Sequence, residues 1–268
     1  MNKSIIYTVG YTLFQNRNGI DTAALFQTLK GLGVNFLVDV RSVPYSRQFP
    51  QCNSDFLKIE GRRYGVTYIH MPEVGAKASP TQDVFSPACD IFFEDIFPIS
   101  KSNRPEKTEL ECNDEIVDFI KFRHDDYFID GLKRIETAYD KGCTLALMCS
   151  EKNPMECHRY FLISKSLEER FGEWLSVQHI IRNTDGTLGT LSNEDLNKLL
   201  EKTIFAKQEI RRLDVLNKGI FEDHAKIDNY FGDTLEDKIS DFCFRFWNLM
   251  HGWKKITDNN YQDINNYD

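Results

Sequence analysis

The sequence of 268 residues contains no apolar run near the ~20 residues that a bilayer-spanning helix needs. Its first residues, 1–7, lack the apolar region and the cleavage site of a secretory signal. It has no internal repeat and no low-complexity tract. These absences predict a soluble, cytoplasmic globular protein with no membrane partner.

The sequence also has fewer basic than acidic residues. With 33 Lys and Arg against 41 Asp and Glu, the formal net charge is -8. This balance works against loose, sequence-independent binding to nucleic acid, which depends on neutralising phosphates, although a local basic groove is compatible with it. The seven cysteines are an odd number without the spacing of a small disulfide-rich domain. They predict reduced thiols, available for metal binding or catalysis.

Strand-like and helix-like segments alternate along the chain, which predicts an α/β fold with a mostly parallel open sheet of about five strands flanked by helices. The strand-like segments are rich in apolar and β-branched residues and lie at 5–9, 35–40, 66–70, 144–148 and 177–181. We expect an α/β domain over residues 1–202, with an irregular insertion at 76–115. We expect residues 203–268 to form a helical appendage. Its apolar face would pack either on the domain or on a second copy of the chain in a homodimer.

The segment 143–170 joins the most apolar strand-like run to an amphipathic helix-like run through a polar loop. The loop contains Cys149, Glu151 and Cys157, and the helix-like run opens with His158 and Arg159. Ligands of open α/β sheets bind at the carboxyl ends of the strands, and a helix amino terminus lowers thiol pKa and attracts anions. We therefore predict that Cys149 or Cys157 is a nucleophile and that His158 or Glu151 moves the proton.

Polar residues also follow the other strand-like segments. They are Tyr11 after the first, Asp39, Arg41, Ser42 and Arg47 after the second, and His70 at the end of the third. We predict that these residues, together with Arg159, form the substrate-binding part of the site. Three arginines at one sheet edge would bind phosphate or carboxylate through planar, bidentate hydrogen bonds.

Structural roles compete with these assignments. A cysteine at the end of an apolar strand often serves packing alone. Glu151 either moves protons or pairs with Lys152 or Arg159 at the surface. Arg159 either binds an anion or forks onto Asp39 or Glu151 and ties two strand ends together.

Zinc binding is a further alternative for the same side chains, although the sequence alone predicts no cofactor. Cys149, Cys157 and His158 could supply three zinc ligands. Their spacing matches no standard motif, and a fourth ligand such as His70 would have to come from elsewhere.

Several short motifs resemble a bacterial and archaeal family known as domain of unknown function 488. The matching motifs are Tyr7-Thr8-Val9-Gly10-Tyr11, Val38-Asp39-Val40-Arg41 with Pro44 and Ser46-Arg47, Tyr68-Ile69-His70 with Gly75, Leu147-Met148-Cys149-Ser150-Glu151 with Cys157-His158-Arg159, and His179-Ile180. They span residues 5–181 and leave the insertion and everything after Lys202 outside the match. The resemblance implies the fold and no settled activity, because the family is uncharacterised.

A fainter likeness is to rhodanese domains, which carry an aspartate and an arginine after one strand and a cysteine directly after another. Cys149 matches the place of that cysteine. The loop that follows departs from the rhodanese pattern, because Glu151, Lys152 and Pro154 replace the small, Gly-containing cradle that a persulfide needs.

Two functions are compatible with these residues. The first is a cysteine-dependent hydrolase or transferase whose partner is an anionic small molecule or nucleic-acid fragment, such as a nucleotide-like substrate. The second is a non-catalytic phosphate- or nucleic-acid-binding regulatory module, in which the cysteines are zinc ligands or core. Metal content and thiol reactivity distinguish the two.

Overall fold

The computed structural model describes residues 4–79, 81–93, 110–207, 212–220 and 222–255. The chain divides into two compact units. The first comprises Met1–Lys77 and Arg123–Leu196, and the second comprises Ala78–Phe122 and Asn197–Asp268. All the side chains that the sequence assigns to the site belong to the first unit.

The strands and helices alternate in the first unit as the sequence predicts. The strands of both units are β1 (Ser4–Gly10), β2 (Gln15–Asn16), β3 (Gly19–Ile20), β4 (Phe36–Asp39), β5 (Thr67–His70), β6 (Phe85–Pro87), β7 (Glu115–Val117), β8 (Leu145–Cys149), β9 (Leu175–Arg182) and β10 (Leu188–Ser192). The helices are α1 (Thr22–Gly31), α2 (Ser54–Tyr64), α3 (Ala88–Ile91), α4 (Phe119–Arg123), α5 (Asp126–Asp140), α6 (Lys165–Phe171), α7 (Asn193–Lys207), α8 (Arg212–Leu216) and α9 (Leu235–His251).

The main sheet has six strands in the order β10-β9-β1-β8-β4-β5. Neighbours from β9 to β5 are parallel, and β10 is antiparallel to β9. This confirms the α/β fold, and the five parallel strands lie at the five predicted segments. β10 is the additional strand. The sequence indicates the turn before it at Asp185-Gly186, but its own residues, Leu188 to Ser192, include a Gly and two hydroxyl side chains and lack a strand-like apolar pattern.

β8 lies near the middle of the sheet, between β1 and β4. All five of its residues are buried, as in a parallel strand that is covered on both faces. Its last residue, Cys149, is paired with Gly10 of β1, and Met148 is paired with Asp39 of β4. Asp39 in turn is paired with His70 of β5. The register therefore places the predicted site residues of β8, β4 and β5 within one residue of the same row at the carboxyl edge, beside Gly10 of β1.

Side-chain caps fix where the flanking helices begin. Asp21 accepts a hydrogen bond from the backbone N–H of Ala24 at the start of α1, and Asp125 does the same for Phe128 at the start of α5. The Ser192 hydroxyl caps α7 by accepting from the backbone N–H of Asp195. No helix in the described part of the chain is both long and apolar enough to cross a membrane.

The helix predicted from His158 onward begins with a wider turn. Arg159–Ser164 is π-helical and continues into α6. The hydroxyl of Ser164 donates to the backbone oxygen of Arg159 at 2.6 Å. All six residues of this segment are buried, and π-helical turns often occur at functional sites.

The second unit is built largely from aromatic side chains around α9. Thr234 caps this helix by accepting from the backbone N–H of Asp237. The ring of Phe92 packs against Phe242 and Phe246 at centroid distances of 5.2 and 5.4 Å. This unit combines parts of the predicted insertion 76–115 and appendage 203–268. Residues 80, 94–109, 208–211, 221 and 256–268 of these segments lie outside the described residues.

A buried histidine in β9 joins two elements of the first unit. The Nδ1 of His179 lies 2.8 Å from the hydroxyl of Thr8, and its Nε2 lies 2.5 Å from the side-chain oxygen of Asn193. Because an amide oxygen only accepts, Nε2 carries the proton and Nδ1 accepts from Thr8. Both nitrogens of the neutral ring thus have hydrogen-bond partners, and burial lowers the pKa of His179 to about 3.

We predict that His179 makes the folded state sensitive to acid. The unfolded state takes up a proton near the ordinary histidine pKa of about 6.5, whereas the folded state does so only near 3, so stability falls as pH drops between these values. From about pH 7.5 to about pH 5 this linkage removes about 2 kcal/mol of unfolding free energy. Urea denaturation at both pH values should show that His179→Gln loses about 2 kcal/mol less than wild type on acidification.

The exposed His124 provides the control. His124→Gln should keep the acid-dependent loss of the wild type. An equal loss in His179→Gln and the wild type would contradict the assignment of a neutral, buried His179.

Candidate functional site

Two thiols, an imidazole and a carboxylate converge after the carboxyl end of β8. The Sγ of Cys149 lies 2.8 Å from Oε2 of Glu151 and 3.7 Å from Nδ1 of His158. The Sγ of Cys157 lies 3.2 Å from the same carboxylate oxygen and 3.8 Å from the same Nδ1. We call these four residues the thiol cluster. All four predicted catalytic residues are therefore brought together.

The imidazole of His158 has a defined orientation. Its Nε2 lies 3.0 Å from the backbone oxygen of Val40. A carbonyl oxygen only accepts, so Nε2 carries a proton. In the neutral ring, Nδ1 then presents its lone pair to both sulfurs. Val40 follows β4, so this hydrogen bond joins the loop after β8 to the end of the neighbouring strand.

The charges of the cluster favour ionisation of one thiol. Burial by itself raises the pKa of Cys149, but the hydrogen bond with Cys157 and the charges of His158 and Arg159 outweigh burial and hold the pKa well below its ordinary value. Burial lowers the pKa of His158, and the Cys149 thiolate more than offsets this and raises it. Cys149 and His158 thus stabilise each other's charged forms.

The other two members retain their protons more strongly. Burial raises the pKa of Cys157 well above its ordinary value, and the neighbouring Cys149 thiolate raises it further. Glu151 is exposed as a residue, but its Oε2 points inward at both sulfurs, and desolvation followed by the charge of Cys149 raises the pKa of its carboxyl. Glu151 is therefore the member that connects the buried thiols to solvent.

Arg159 clamps the loop that carries Glu151. Its side chain is completely buried, and its guanidinium donates to the backbone oxygens of Glu151, through Nη1 at 2.5 Å, and of Lys152, through Nη2 at 3.2 Å. The sequence left open whether Arg159 binds an anion or ties strand ends together through Asp39 or Glu151. The structure shows a clamp, and its acceptors are backbone carbonyls instead of carboxylates.

Two residues of the β1 edge hold the same loop from the other side. The hydroxyl of Thr12 donates to the backbone oxygen of Ser150 at 2.5 Å, and the Thr12 backbone N–H donates to it at 3.2 Å. A Cβ atom at Gly10 would lie 1.7 Å from the backbone oxygen of Glu151. Only glycine allows the loop to pass this close.

Asp39 and Arg41 form a buried ion pair beside the cluster. The guanidinium of Arg41 donates to both carboxylate oxygens of Asp39, at 2.9 and 2.6 Å, and to the backbone oxygen of Cys52 at 2.8 Å. The hydroxyl of Tyr68 donates to Asp39 at 2.6 Å. Nε and Nη2 of Arg41 are engaged in this network, whereas its Nη1 is buried without a hydrogen-bond partner among the described residues. A role of Asp39 and Arg41 in substrate binding stays a prediction.

Of the remaining predicted binding residues, Tyr11 and His70 contact Arg41. The guanidinium of Arg41 lies over the buried ring of Tyr11, with its carbon 5.3 Å from the ring centre. His70 donates from Nε2 to the backbone oxygen of Arg41 at 2.8 Å. Ser42 accepts from the backbone N–H of Lys77. Arg47 is exposed and has no hydrogen bond or ion pair to any described residue.

Sequence reasoning missed the groups that hold the cluster in place. Thr12, Tyr68 and the carbonyl of Val40 act through hydrogen bonds, and no sequence pattern marks a backbone carbonyl as an acceptor. The close approach of the Glu151 backbone to Gly10 is likewise not marked in the sequence.

Among the described residues, the side chains that could hold a metal ion together are Cys149, Cys157 and His158, whose donor atoms all lie within 4.8 Å of one another. His70, which the sequence offered as a fourth ligand, does not belong to this group. Glu151 contacts both sulfurs but does not belong to this group either.

The comparison with protein families identifies one part of the chain. Residues 21–97 match the family described as domain of unknown function DUF488, which confirms the resemblance. The match covers β4, α2 and β5 with Asp39, Arg41 and His70, and it extends into the insertion that the motifs had left out. It does not reach the thiol cluster. No curated protein and no solved structure matches the chain.

We predict that Gly10→Ala displaces the loop after β8. The added methyl group overlaps the backbone oxygen of Glu151, so the unfolding free energy should fall by about 2–3 kcal/mol in urea denaturation. Gly31→Ala is the matched control, because no atom lies within 4 Å of its Cβ position at the end of α1. It should leave stability unchanged or raise it by up to about 1 kcal/mol. Equal stability of the two variants would refute the close approach at Gly10.

Proposed function

We propose that this protein is a cysteine-dependent hydrolase or transferase whose catalytic centre is the thiol cluster. The observation that carries the proposal is the set of contacts around Cys149. Its sulfur touches the carboxylate of Glu151 and faces Nδ1 of His158, whose other nitrogen is fixed on Val40. Nucleophilic catalysis requires a nucleophile, a proton acceptor and an oriented imidazole within reach of one another.

Cys149 and His158 carry the proposed reaction. The proton of Cys149 passes to Nδ1 of His158, and the thiolate attacks an electrophilic carbon or phosphorus atom of the substrate. A bond from sulfur to that atom forms as the bond to the leaving group breaks, and the leaving group takes the proton from His158. Water in a hydrolase, or a second acceptor in a transferase, then gives its proton to His158 and bonds to the substrate atom as the sulfur bond breaks, which restores the Cys149 thiolate beside the His158 imidazolium.

The substrate proposed from the sequence is anionic, either nucleotide-like or derived from nucleic acid. Of the three arginines named for this role, Arg47 supports this part of the proposal best. Arg41 is neutralised by Asp39, and Arg159 is buried on backbone carbonyls. Arg47 is the exposed arginine that follows β4, and its guanidinium is the group that we assign to the anionic part of the substrate.

A non-catalytic binding module is the second candidate. The burial of Cys149 and Cys157, which are 4% and 2% exposed, favours it, because a nucleophile must meet its substrate. In the catalytic reading the exposed Glu151 must turn outward to admit the substrate. Selective reactivity of Cys149 distinguishes the candidates.

We predict that Cys149 reacts with iodoacetamide at neutral pH at least about tenfold faster than any other cysteine of the folded protein. Limited alkylation, with modified sites mapped by mass spectrometry, measures this after treatment with a metal chelator. Cys52 is the internal control, because it is equally buried at the same sheet edge and burial raises its pKa to about 12.

His158→Gln should slow the reaction of Cys149, because the imidazole that accepts the thiol proton is removed, and it should leave Cys52 unaffected. Equal rates at Cys149 and Cys52 in the folded protein would contradict the nucleophile and give the binding module first place.

A further inference from the structure

We propose that the thiol cluster is a zinc site, in which Sγ of Cys149, Sγ of Cys157 and Nδ1 of His158 bind the ion and Glu151 provides the fourth ligand. This inference deepens the proposed function, on which its catalytic meaning rests, by naming the cofactor of the same site. Two thiolates with an imidazole are a ligand set that suits zinc.

The spacing of the donor atoms fits one tetrahedral ion. With zinc–sulfur bonds of about 2.3 Å and zinc–nitrogen bonds of about 2.0–2.1 Å, a sulfur and a nitrogen on the same tetrahedron lie about 3.6 Å apart. The measured distances from Nδ1 of His158 are 3.7 Å to Cys149 and 3.8 Å to Cys157. These two distances match the tetrahedral spacing, and they are long for hydrogen bonds to nitrogen.

Glu151 lies on the solvent side of this group. Its Oε2 is 2.8 and 3.2 Å from the two sulfurs, but the carboxylate is not among the donor atoms that lie within 4.8 Å of one another. Tetrahedral spacing between oxygen and sulfur is about 3.5 Å, so the carboxylate must move away from the sulfurs and toward Nδ1 of His158 to bind the ion. The loop position of Glu151 and its exposure permit this movement.

The surroundings of His158 are those of a metal ligand. Its Nε2–H donates to the backbone oxygen of Val40, which leaves Nδ1 as the lone-pair donor and fixes the plane of the ring. Histidines that bind metals almost always donate their second nitrogen to a carbonyl or a carboxylate in this way.

Charge balance supports the same conclusion. Two thiolates and a carboxylate around a divalent ion leave one negative charge. The buried guanidinium of Arg159, which donates to backbone oxygens, supplies one positive charge beside them. Without a metal ion, the two sulfurs and the carboxylate oxygen would be held in contact by shared protons alone.

Zinc also changes how the proposed nucleophile is activated. Metal coordination is one of the ways in which a thiol is kept deprotonated at neutral pH. Glu151, as the exposed and weakest-held ligand, is then the one that gives way to a substrate. Cys157 and His158 would hold the ion throughout.

The test is the metal content of the full chain, purified without chelators and with any affinity tag removed. Mass spectrometry of metals should find about one zinc ion per chain in the wild type. Cys149→Ser and Cys157→Ser should bind zinc more than about tenfold more weakly. Co²⁺ added to chelator-treated wild type should give the absorption of a tetrahedral ion with sulfur-to-metal charge transfer.

Cys143→Ser is the matched control, because Cys143 precedes β8 and is not a member of the cluster. It should keep the zinc content of the wild type. If the cluster variants do not fold, Glu151→Gln serves instead, with an expected change in the Co²⁺ spectrum. A wild type that neither retains zinc nor takes up an equivalent of added Zn²⁺, or a Cys143→Ser variant that loses as much zinc as Cys149→Ser, overturns the site.

The outcomes also separate this inference from the proposed function. A metal-free chain in which Cys149 still alkylates selectively rejects zinc and keeps the nucleophile. A chain that holds zinc through the cluster, but whose Cys149 is no more reactive than Cys52 before or after chelation, supports the zinc site and rejects the nucleophile.

Discussion

The site depends on the clamp that Arg159 forms with the backbone of Glu151 and Lys152. A fully buried guanidinium requires acceptors for its hydrogen bonds, and two carbonyl oxygens of the loop after β8 provide them. This fixes the loop over the carboxyl end of the strand and turns Glu151 toward the sulfurs. The hydrogen bond with Cys157 and the charge of His158, followed by the charge of Arg159, lower the pKa of Cys149. One buried cation thus holds the loop and adds to the electrostatics of the cluster.

Much of the fold could be predicted from the sequence. The parallel strands are marked by apolar runs such as 144–148, and Asp21 and Asp125 mark where helices begin. β10 was not predicted, because an edge strand that is only partly covered needs no apolar pattern. The π-helical turn at Arg159–Ser164 was also not predicted, since its residues have ordinary helical preferences and tertiary packing selects the wider turn.

The candidate site was predictable in its members and less so in their contacts. Chain topology places strand ends at one edge, so the proximity of Cys149, Cys157 and His158 follows from the alternation of strands and helices. Chain topology does not predict which acceptor an arginine side chain donates to. Arg41 donates to the Asp39 carboxylate, two residues away, whereas Arg159 donates to carbonyls, because local geometry decides which acceptors each guanidinium reaches. The acceptor of each guanidinium therefore cannot be predicted from the spacing of residues in the sequence.

The close approach at Gly10 has a consequence for the order in which the protein folds. The loop after β8 is held by β1, so the hydrogen bond from Thr12 to Ser150 joins residues 138 positions apart in the chain. Contacts of such long sequence separation pay a large loop-closure entropy and form late. The support that β1 gives to the loop therefore forms only after β1 and β8 have paired. Until then the thiols, the imidazole and the carboxylate, which all lie within residues 149–158, lack the hydrogen bonds with Thr12 and Val40 that hold them in place.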